Sequence, residues 1–305
     1  DFLLKNNGFA SAYDADSEGE EGKYYIWSLA ELKKHLLQEE WLFVDAHYDL
    51  REDGNYLDEA THAKTGQNIF FLKESLQQKS HQQIGQYFDT FEKIRGRLLE
   101  IRRLREKPLR DEKILTDWNC QMAATLFKAA KIFKNKKWLD LAQKNMRFIQ
   151  DELVLEDYLF HRICDGELLK NEFLDDQVSW LWAKMHAFEA TGDRKILEPV
   201  IAHIERIESF YKNENGGYYM TAKDQPAVFS RMREIYDGAT PSANSVYWHC
   251  LMKFSMYLKK THLQDLFVAN MNELGDAYLQ NPSSYSFAIN ACQFFLHPYC
   301  EEGLC

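Results

Sequence analysis

The strongest constraint on the fold is a helical stretch, residues 173–193, that is apolar on nearly every side. At helical spacing, the apolar positions on its two opposite faces are Val178, Leu181, Trp182, Met185 and Phe188 on one side and Trp180, Ala183 and Ala187 on the other. A helix of this kind has no face for water, so it must pack against other elements on both sides.

Helices of this two-sided kind alternate along the chain with helices that are apolar on one side only. The two-sided pattern also covers residues 117–133, 242–258 and 284–296, and the one-sided pattern covers residues 138–149, 196–207 and 263–274. Such alternation indicates buried inner helices surrounded by half-exposed outer ones. The sequence therefore predicts an all-α fold, an (α/α) toroid of helical hairpins, as one domain over residues 1–297 with a tail at 298–305.

The net charge argues against two classes of main partner. The chain has 305 residues, is 45% hydrophobic and carries a formal net charge of −10. This charge disfavours nucleic acid or an anionic membrane as a partner. The basic stretch at residues 95–110 is interpreted as a solvated helix face.

No apolar run approaches the roughly 20 residues that span a bilayer, and no secretory signal is visible.

The cysteines indicate a reduced compartment. None of the six forms a CxxC pair or has zinc-site spacing, so a cytoplasmic setting is predicted. His297, Cys300 and Cys305 offer a possible metal site, but a frayed tail is the favoured interpretation.

The sequence also lacks a phosphate-binding glycine loop, a G-x-S-x-G elbow and an H-E-x-x-H motif. No cofactor and no metal are predicted.

Long loops precede the two-sided helices, whereas short loops follow them. Residues 156–172 and 213–240 have aromatic segments around polar turns, which predicts β-hairpins, and residues 7–27 have the same character. Ser28 and Glu31 have the spacing of a capping box that starts a helix reaching about Gln38. The long loops should gather at the end of the toroid where inner helices begin, and functional residues are expected there.

Short polar residues open each inner helix. The pairs are Asp117 and Asn119, Asp175 and Asp176, Ser242 and Asn244, and Ser283 and Ser284. One such residue per helix is explained by N-capping. The second acid at 175–176 needs a partner, a ligand or water. The helix dipole is expected to lower its pKa, which suits a base or an acceptor for sugar hydroxyls.

Acidic residues also crowd the first loop, at Asp14, Asp16, Glu18, Glu20 and Glu21. Like charges this close are expected to raise one another's pKa. Three interpretations stay open: a solvated turn, a loop that lines a site, and a calcium loop. The calcium interpretation is disfavoured because Tyr25 stands where an EF-hand loop has glutamate.

Other candidate residues lie near the same predicted end of the toroid. Asp237 precedes an inner helix, with Arg231 and Arg233 close enough in sequence to pair with it. His161 and Arg162 lie in the second loop, and His186 and His249 are interpreted as core histidines. The aromatic residues nearest the starts of inner helices are Trp118, Phe173 and Tyr236. Convergent acids and aromatic platforms are what a carbohydrate site requires.

Four segments resemble a known family. GFASAYDADSEGEEGKYYIW, DEKILTDWN, FLDD and YDGATPSANS are similar, in this order, to segments of the spermatogenesis-associated protein 20 / YyaL-like family. The resemblance implies an (α/α)6 toroid, six-hairpin glycosidase-like, with a shape related to sugar 2-epimerases and glucuronyl hydrolases. It further implies that a thioredoxin-like domain (DUF255) and the first hairpins lie upstream of Asp1. Asp117, Cys120 and Ala243 depart from the residues usual in the family.

We therefore expect a toroid that binds or processes a small saccharide or similar polyol as an epimerase, isomerase or hydrolase. Asp16 and Asp176 are the candidates for proton transfer, and Asp237 is the candidate for orienting the substrate. The predicted substrate-binding residues are Asp14, Glu18, Trp118, Asn119, Phe173, Asp175, Tyr236 and Asn244. One alternative is a non-catalytic scaffold that docks a thioredoxin-like or other protein domain. In another, the acids form no functional site and only cap helices and hold the hairpins.

Overall fold

A computed structural model describes residues 1–59, 61–155, 158–169, 171–226, 230–274 and 277–296. Its contacts divide the chain into a helical unit, Asp1–Ser11 with Glu112–Cys305, and a small unit, Ala12–Asp111. The single domain expected over residues 1–297 stays a prediction. The expected tail, 298–305, lies outside the described residues, as do His297, Cys300 and Cys305.

The small unit combines short antiparallel strand pairs with three helices. Its elements are β1 (Ala12–Tyr13), β2 (Asp16–Ser17), β3 (Glu20–Glu21), β4 (Trp27–Ser28), α1 (Leu29–His35), α2 (Gln38–His47), β5 (Gln67–Asn68), a 3₁₀ turn (Leu76–Gln78), α3 (His81–Arg102) and β6 (Arg110–Asp111). β1 pairs with β6, β2 with β3, and β4 with β5. Its core is formed by buried Trp27, Leu32, Val44, Tyr48 and Ile94.

The hairpin expected over residues 7–27 is much shorter in the structure. Only β2 and β3 form it, around Glu18 and Gly19, whose φ angles are +55° and +77°. Two consecutive left-handed residues give the tight turn that matches strand twist. The flanking segments pair elsewhere, so the longer hairpin was wrong.

The predicted capping box is half formed. Ser28 Oγ accepts the N–H of Glu31 at 3.1 Å. The carboxylate of Glu31 instead pairs with the Arg105 guanidinium at 2.8 Å. Helix α1 ends at His35, short of the predicted end.

The helical unit contains the remaining elements. They are β7 (Ile114–Leu115), α4 (Thr116–Phe133), α5 (Lys136–Glu152), β8 (Val154–Leu155), β9 (Tyr158–Leu159), β10 (Arg162–Cys164), β11 (Glu167–Leu169), α6 (Leu174–Thr191), a 3₁₀ turn (Arg194–Leu197), α7 (Val200–Phe210), α8 (Ala243–Leu258), α9 (His262–Leu274), α10 (Ala277–Gln280), a 3₁₀ turn (Pro282–Tyr285) and α11 (Ser286–Leu296). β10 pairs with both β11 and β7, and β8 pairs with β9.

The helices of this unit form two layers. α4, α6, α8 and α11 pack consecutively against one another, and α5, α7 and α9 pack against α4, α6 and α8 respectively. These are the inner and outer helices that the alternating pattern predicted. The predicted all-α fold class, with the helix pairing of an (α/α) toroid, is confirmed. Among the described residues, no helix combines the length and apolar character needed to cross a bilayer.

Helix α6 is buried on both faces, as its sequence requires. Val178, Leu181 and Met185 contribute to one core cluster together with residues of α8. Trp180 and Ala183 contribute to a second cluster together with residues of α4 and α5. Each apolar face thus has its own neighbour, and α6 fixes the spacing between α4 and α8.

The structure differs from the sequence-based expectation in one helix, residues 196–207, and in one loop, residues 213–240. The helix expected over residues 196–207 is broken, because Pro199 lacks the N–H that would continue the preceding turn, and α7 begins at Val200. The hairpin in residues 156–172 is confirmed as β10 and β11. In the described part of 213–240, only isolated bridges occur, Lys212 with Tyr218 and Thr221 with Phe173.

Buried asparagines tie loops to the scaffold by an arrangement that we call an asparagine clasp: one side-chain amide bonds both the N–H and the C=O of a single loop residue. Asn119 Oδ1 accepts the N–H of Phe9 at 2.8 Å, and its Nδ2 donates to the Phe9 carbonyl at 3.1 Å. The same amide also donates to the Leu115 carbonyl and accepts from Asn145. The N-terminal segment is thereby held against α4.

A second clasp holds the loop before α8. Asn244 Oδ1 accepts the N–H of Tyr218 at 2.7 Å, and Nδ2 donates to the carbonyls of Tyr218 at 3.0 Å and Glu234 at 2.7 Å. The small unit repeats the arrangement, since Asn68 bonds the N–H and C=O of Arg51. An amide is suited to this task because it offers a donor and an acceptor side by side.

Candidate functional site

The starts of α4 and α6 bring one imidazole and three carboxyl groups into one region of the helical unit. β10 pairs with β7, which leads directly into α4, and the Thr116 N–H donates to the His161 carbonyl at 2.9 Å. This pairing places His161 beside the first turn of α4, where Asp117 lies. Asp175 and Asp176 are in the first turn of α6.

Asp176 and His161 form a close pair, which we call the His161–Asp176 pair. Asp176 has no exposed surface. Its oxygens accept the N–H groups of Asp117 at 3.2 Å and Phe173 at 3.3 Å. His161 Nδ1 lies 3.2 and 3.1 Å from the same two oxygens. The Phe173 ring packs edge-to-face on the imidazole at 4.7 Å, so the ring of His161 is held in place.

Burial and mutual repulsion favour the protonated forms of the acids. Burial, followed by the charges of Asp117 and Asp175, raises the pKa of Asp176 well above its usual range. Burial also raises the pKa of Asp117 and of Asp175. The expectation that the helix dipole lowers the pKa of the second acid was therefore wrong, because desolvation and two like charges outweigh the dipole and the backbone donors.

The pKa of the His161 imidazole is shifted in the opposite direction, downward. Burial lowers the pKa of His161, and the nearby Arg162 acts in the same direction. Both shifts favour the uncharged forms of the pair, a protonated Asp176 and a neutral His161. In this uncharged form, the Asp176 O–H donates to Nδ1 and the ring proton of His161 is on Nε2. Asp176 has no surface for a substrate, whereas His161, Asp117 and Asp175 are only half-buried.

The same groups offer ligands for a metal ion. One ligand atom each from Asp117, His161 and Asp176 lies within 4.8 Å of the others. Asp117 Oδ1 is enclosed without a hydrogen-bond partner. The absence of a metal, expected from the sequence, stays a prediction.

Replacing Asp176 by asparagine should change how stability depends on pH. The folded wild type keeps a proton on Asp176 that the unfolded chain releases above its pKa of about 3.9. Wild-type stability should therefore fall by up to about 1.4 kcal/mol per pH unit from there up to the folded pKa. Relative to wild type, Asp176→Asn should gain stability between pH 5 and pH 8. Urea unfolding at both pH values measures this, and a pH-independent difference would contradict it.

The other predicted residues of the helical unit fall into two groups. Trp118 and Tyr236 are 49% and 53% exposed, so both are available for stacking. Asn119 and Asn244 are 1% and 0% exposed, and their amides are occupied by the clasps. Their contact with a sugar stays a prediction, and the geometry does not favour it.

Asp237 bridges the starts of two inner helices. Its oxygens accept the N–H groups of Ser242 at 2.9 Å and Phe287 at 2.8 Å. Arg231 donates to the backbone carbonyls of Phe210 and Thr221, and Arg233 donates to backbone carbonyls of the following loop. Neither pairs with Asp237, so the expected pairing was wrong. The orienting role of Asp237 stays a prediction.

The candidates from the first loop belong to the small unit. Asp14 Oδ1 accepts the N–H of Asp16 at 3.1 Å, and Glu18 lies 3.4 Å from the Lys23 ammonium. All three acids are exposed. Glu18 and Tyr56 line a cavity of about 420 Å³ within that unit. The part of Asp14, Asp16 and Glu18 in a site stays a prediction.

The sequence interpretation missed the partnership of His161 and the buried charges of Glu172 and Lys184. In the sequence, His161 is recognisable only as a loop residue. Glu172 is 1% exposed and pairs with Arg206 at 2.7 Å, and Lys184 is 6% exposed. Lys184 did carry a signal, since it interrupts an otherwise apolar helix.

Comparisons with known proteins agree with the resemblance noted in the sequence. Human spermatogenesis-associated protein 20 is 25% identical over 286 residues, covering 82% of this chain and 36% of that protein. An uncharacterised Caenorhabditis elegans protein is 25% identical over 290 residues, covering 86% of this chain and 39% of that protein. The chain thus spans little more than a third of the length of these relatives.

A solved structure supports the fold. The GH76 α-mannanase of Bacteroides thetaiotaomicron aligns with a TM-score of 0.50 at 12% identity, covering 65% of this chain and 56% of that one. No family model matches the chain, so the DUF255 assignment and the upstream thioredoxin-like domain stay predictions. The chain is similar in sequence to the proteins named spermatogenesis-associated protein 20, and its helices share the glycosidase-like (α/α) toroid fold.

Proposed function

We propose that the helical unit binds a small saccharide at the starts of α4 and α6 and transfers a proton on it, as a sugar epimerase, isomerase or glycosidase does. The observation that carries the proposal is the convergence of Asp117 and Asp175 on the His161–Asp176 pair. Carboxyl groups of raised pKa beside a neutral imidazole supply an acid and a base near neutral pH. The fold shared with an α-mannanase supports a saccharide as the ligand.

The His161–Asp176 pair can deliver one proton without leaving a buried charge on the imidazole. The Nε2 proton of His161 passes to a substrate oxygen while Asp176 gives its proton to Nδ1. Imidazole stays neutral, and Asp176 becomes the carboxylate, held by the N–H groups of Asp117 and Phe173. His161 is then the catalytic group and Asp176 a positioning residue.

Asp117 and Asp175 complete the proposed site. Whichever of them is ionised accepts a proton from substrate or bonds its hydroxyl groups. Trp118, which follows Asp117, offers an exposed ring for the apolar face of a sugar. Tyr236 is the second such ring.

The test is a saccharide panel followed by NMR in deuterated water. Epimerisation or isomerisation would place deuterium on the carbon that loses its proton, and hydrolysis would create new anomeric signals. The panel includes mono- and disaccharides and α-linked manno-oligosaccharides. The Asp117→Asn/Asp175→Asn double variant is the control and should abolish turnover. Absence of turnover and of any saccharide-induced thermal shift in the wild type would overturn the proposal.

The scaffold alternative rests on the same exposed aromatic residues. Trp118 and Tyr236 suit a docking surface as well as a sugar platform. Under this alternative, Trp118→Ala would weaken the capture of a thioredoxin-like domain, and no saccharide would be altered. The panel therefore distinguishes the two functions.

A further inference from the structure

We propose a second site in the helical unit: a groove between outer helices α5 and α7 that binds a small anion through a carboxylate or phosphate group. The site is separate from the starts of α4 and α6, and it does not depend on the proposed saccharide chemistry. Lys184, on the face of α6 that forms the groove floor, is its central residue.

The groove consists of two adjoining cavities of about 600 and 330 Å³. Both are lined by Gln150 of α5, by Trp180 and Lys184 of α6, and by Pro199. Volumes of this order accommodate small-molecule ligands. The outer helices thus leave part of the inner layer accessible from the side.

Lys184 is a buried cation without a counter-ion among the described residues. It is 6% exposed, and its ammonium group lies 4.9 Å from the centre of the Trp180 ring. Burial lowers its pKa to about 8, so the ammonium form still predominates at pH 7. A buried charge is costly unless it is paired. A bound anion would supply the missing partner.

The comparison with a second buried lysine shows that the fold can pair such a group. Lys253 of α8 is 8% exposed, and its ammonium lies 3.7 Å from the Glu189 carboxylate. It also lies 4.2 Å from the centre of the Phe294 ring. Lys184 has the aromatic contact but lacks the carboxylate, and it faces a cavity.

Two further side chains that line the smaller cavity have nitrogen atoms without partners. His203 Nε2 and Arg206 Nε are enclosed and make no hydrogen bond. The other arm of Arg206 binds Glu172 at 2.7 Å, and its guanidinium lies over the rings of Tyr158 at 4.8 Å and Phe210 at 4.7 Å. Arg206 is therefore fixed in position, and its unpaired N–H is enclosed in the wall of the smaller cavity. An acceptor group of a ligand would bond Lys184, which lines both cavities, next to these enclosed nitrogens.

The charges of the lining favour an anion even though the whole chain is acidic. The lining cations are Arg147, Lys184, Lys195 and Arg206. Asp193 is the acid that lines the larger cavity, and Arg206 is itself paired with Glu172, so the positive excess comes from Arg147, Lys184 and Lys195. A carboxylate or phosphate is the ligand group that lysine and arginine bind best.

The test is isothermal titration with citrate and with inorganic phosphate at constant ionic strength and pH 7, with sodium chloride as the reference. Lys184→Met should weaken binding at least tenfold, because it removes the central cation and keeps the side-chain length. Lys144→Met is the matched control, since it removes the same charge from an exposed position of α5 that does not line the groove. It should bind as the wild type does.

His203→Phe provides an independent variant should Lys184→Met fail to fold, and it should also weaken binding, because the larger ring narrows the smaller cavity that His203 lines. Preference for citrate or for phosphate would identify the ligand class. The proposal is overturned if chloride gives the same heats, if Lys144→Met weakens binding as much as Lys184→Met, or if folded Lys184→Met and His203→Phe bind like the wild type.

Discussion

His161→Gln should lower turnover of the saccharide substrate by about 100- to 10,000-fold, the usual contribution of a positioned acid or base. Glutamine can still hydrogen-bond Asp176, but it cannot pass a proton between Asp176 and a substrate. The loss should appear in kcat more than in KM, because binding by Asp117, Asp175 and Trp118 is retained. Initial rates on the substrate found in the panel measure the effect.

The matched control for this variant is His262→Gln, at an exposed position at the start of α9. It should leave turnover unchanged. Asp176→Asn should instead shift the pH profile of kcat, because it removes the buried proton while keeping the imidazole. Equal rates for His161→Gln and wild type would exclude the His161–Asp176 pair from the chemistry.

Asn244→Asp should destabilise the helical unit by about 3–5 kcal/mol at pH 7, the range found when a buried charge is left without a partner. The amide donates to two carbonyls, of Tyr218 and Glu234, and a carboxylate in its place would face both of them. Protonation would restore one donor, so the loss should be smaller at pH 5. Urea unfolding at the two pH values measures both effects.

Asn135→Asp is the matched control for this change. Asn135 is the N-cap of α5 and uses only its oxygen, which accepts the N–H groups of Lys137 and Trp138. Aspartate caps a helix as well as asparagine does, so the free energy of unfolding should barely change. Similar losses of unfolding free energy for the two variants would contradict a stabilising role of the clasp at Asn244.

The layered fold was predictable because the number of buried faces of a helix determines the pattern of its apolar residues. Residues 173–193 have apolar side chains on both faces, and α6 packs on both faces in the structure. The predicted inner helices match α4, α6, α8 and α11 with small differences at their ends. Periodicity alone gave the wrong start for α7, because the missing N–H of Pro199, and not the apolar pattern, sets where this helix begins.

The candidate site was less predictable because polar residues at a helix start look alike in sequence. Asp176, Asn119 and Ser242 all read as possible caps, yet Ser242 caps α8, Asn119 clasps a loop, and Asp176 pairs with a histidine. Which role each takes depends on the loop that faces it. The pKa of Asp176 depends in addition on Asp117, which the packing of α4 against α6 brings close.

The asparagine clasps restrict substitutions at positions whose own side chains are not involved. The facing residue must supply a backbone N–H, so proline is the one amino acid that Phe9, Arg51 and Tyr218 cannot become without breaking the clasp. Side-chain identity there is free to change as far as the clasp is concerned. Loops that carry the aromatic and acidic groups can therefore diversify between relatives while remaining anchored at a single fixed point.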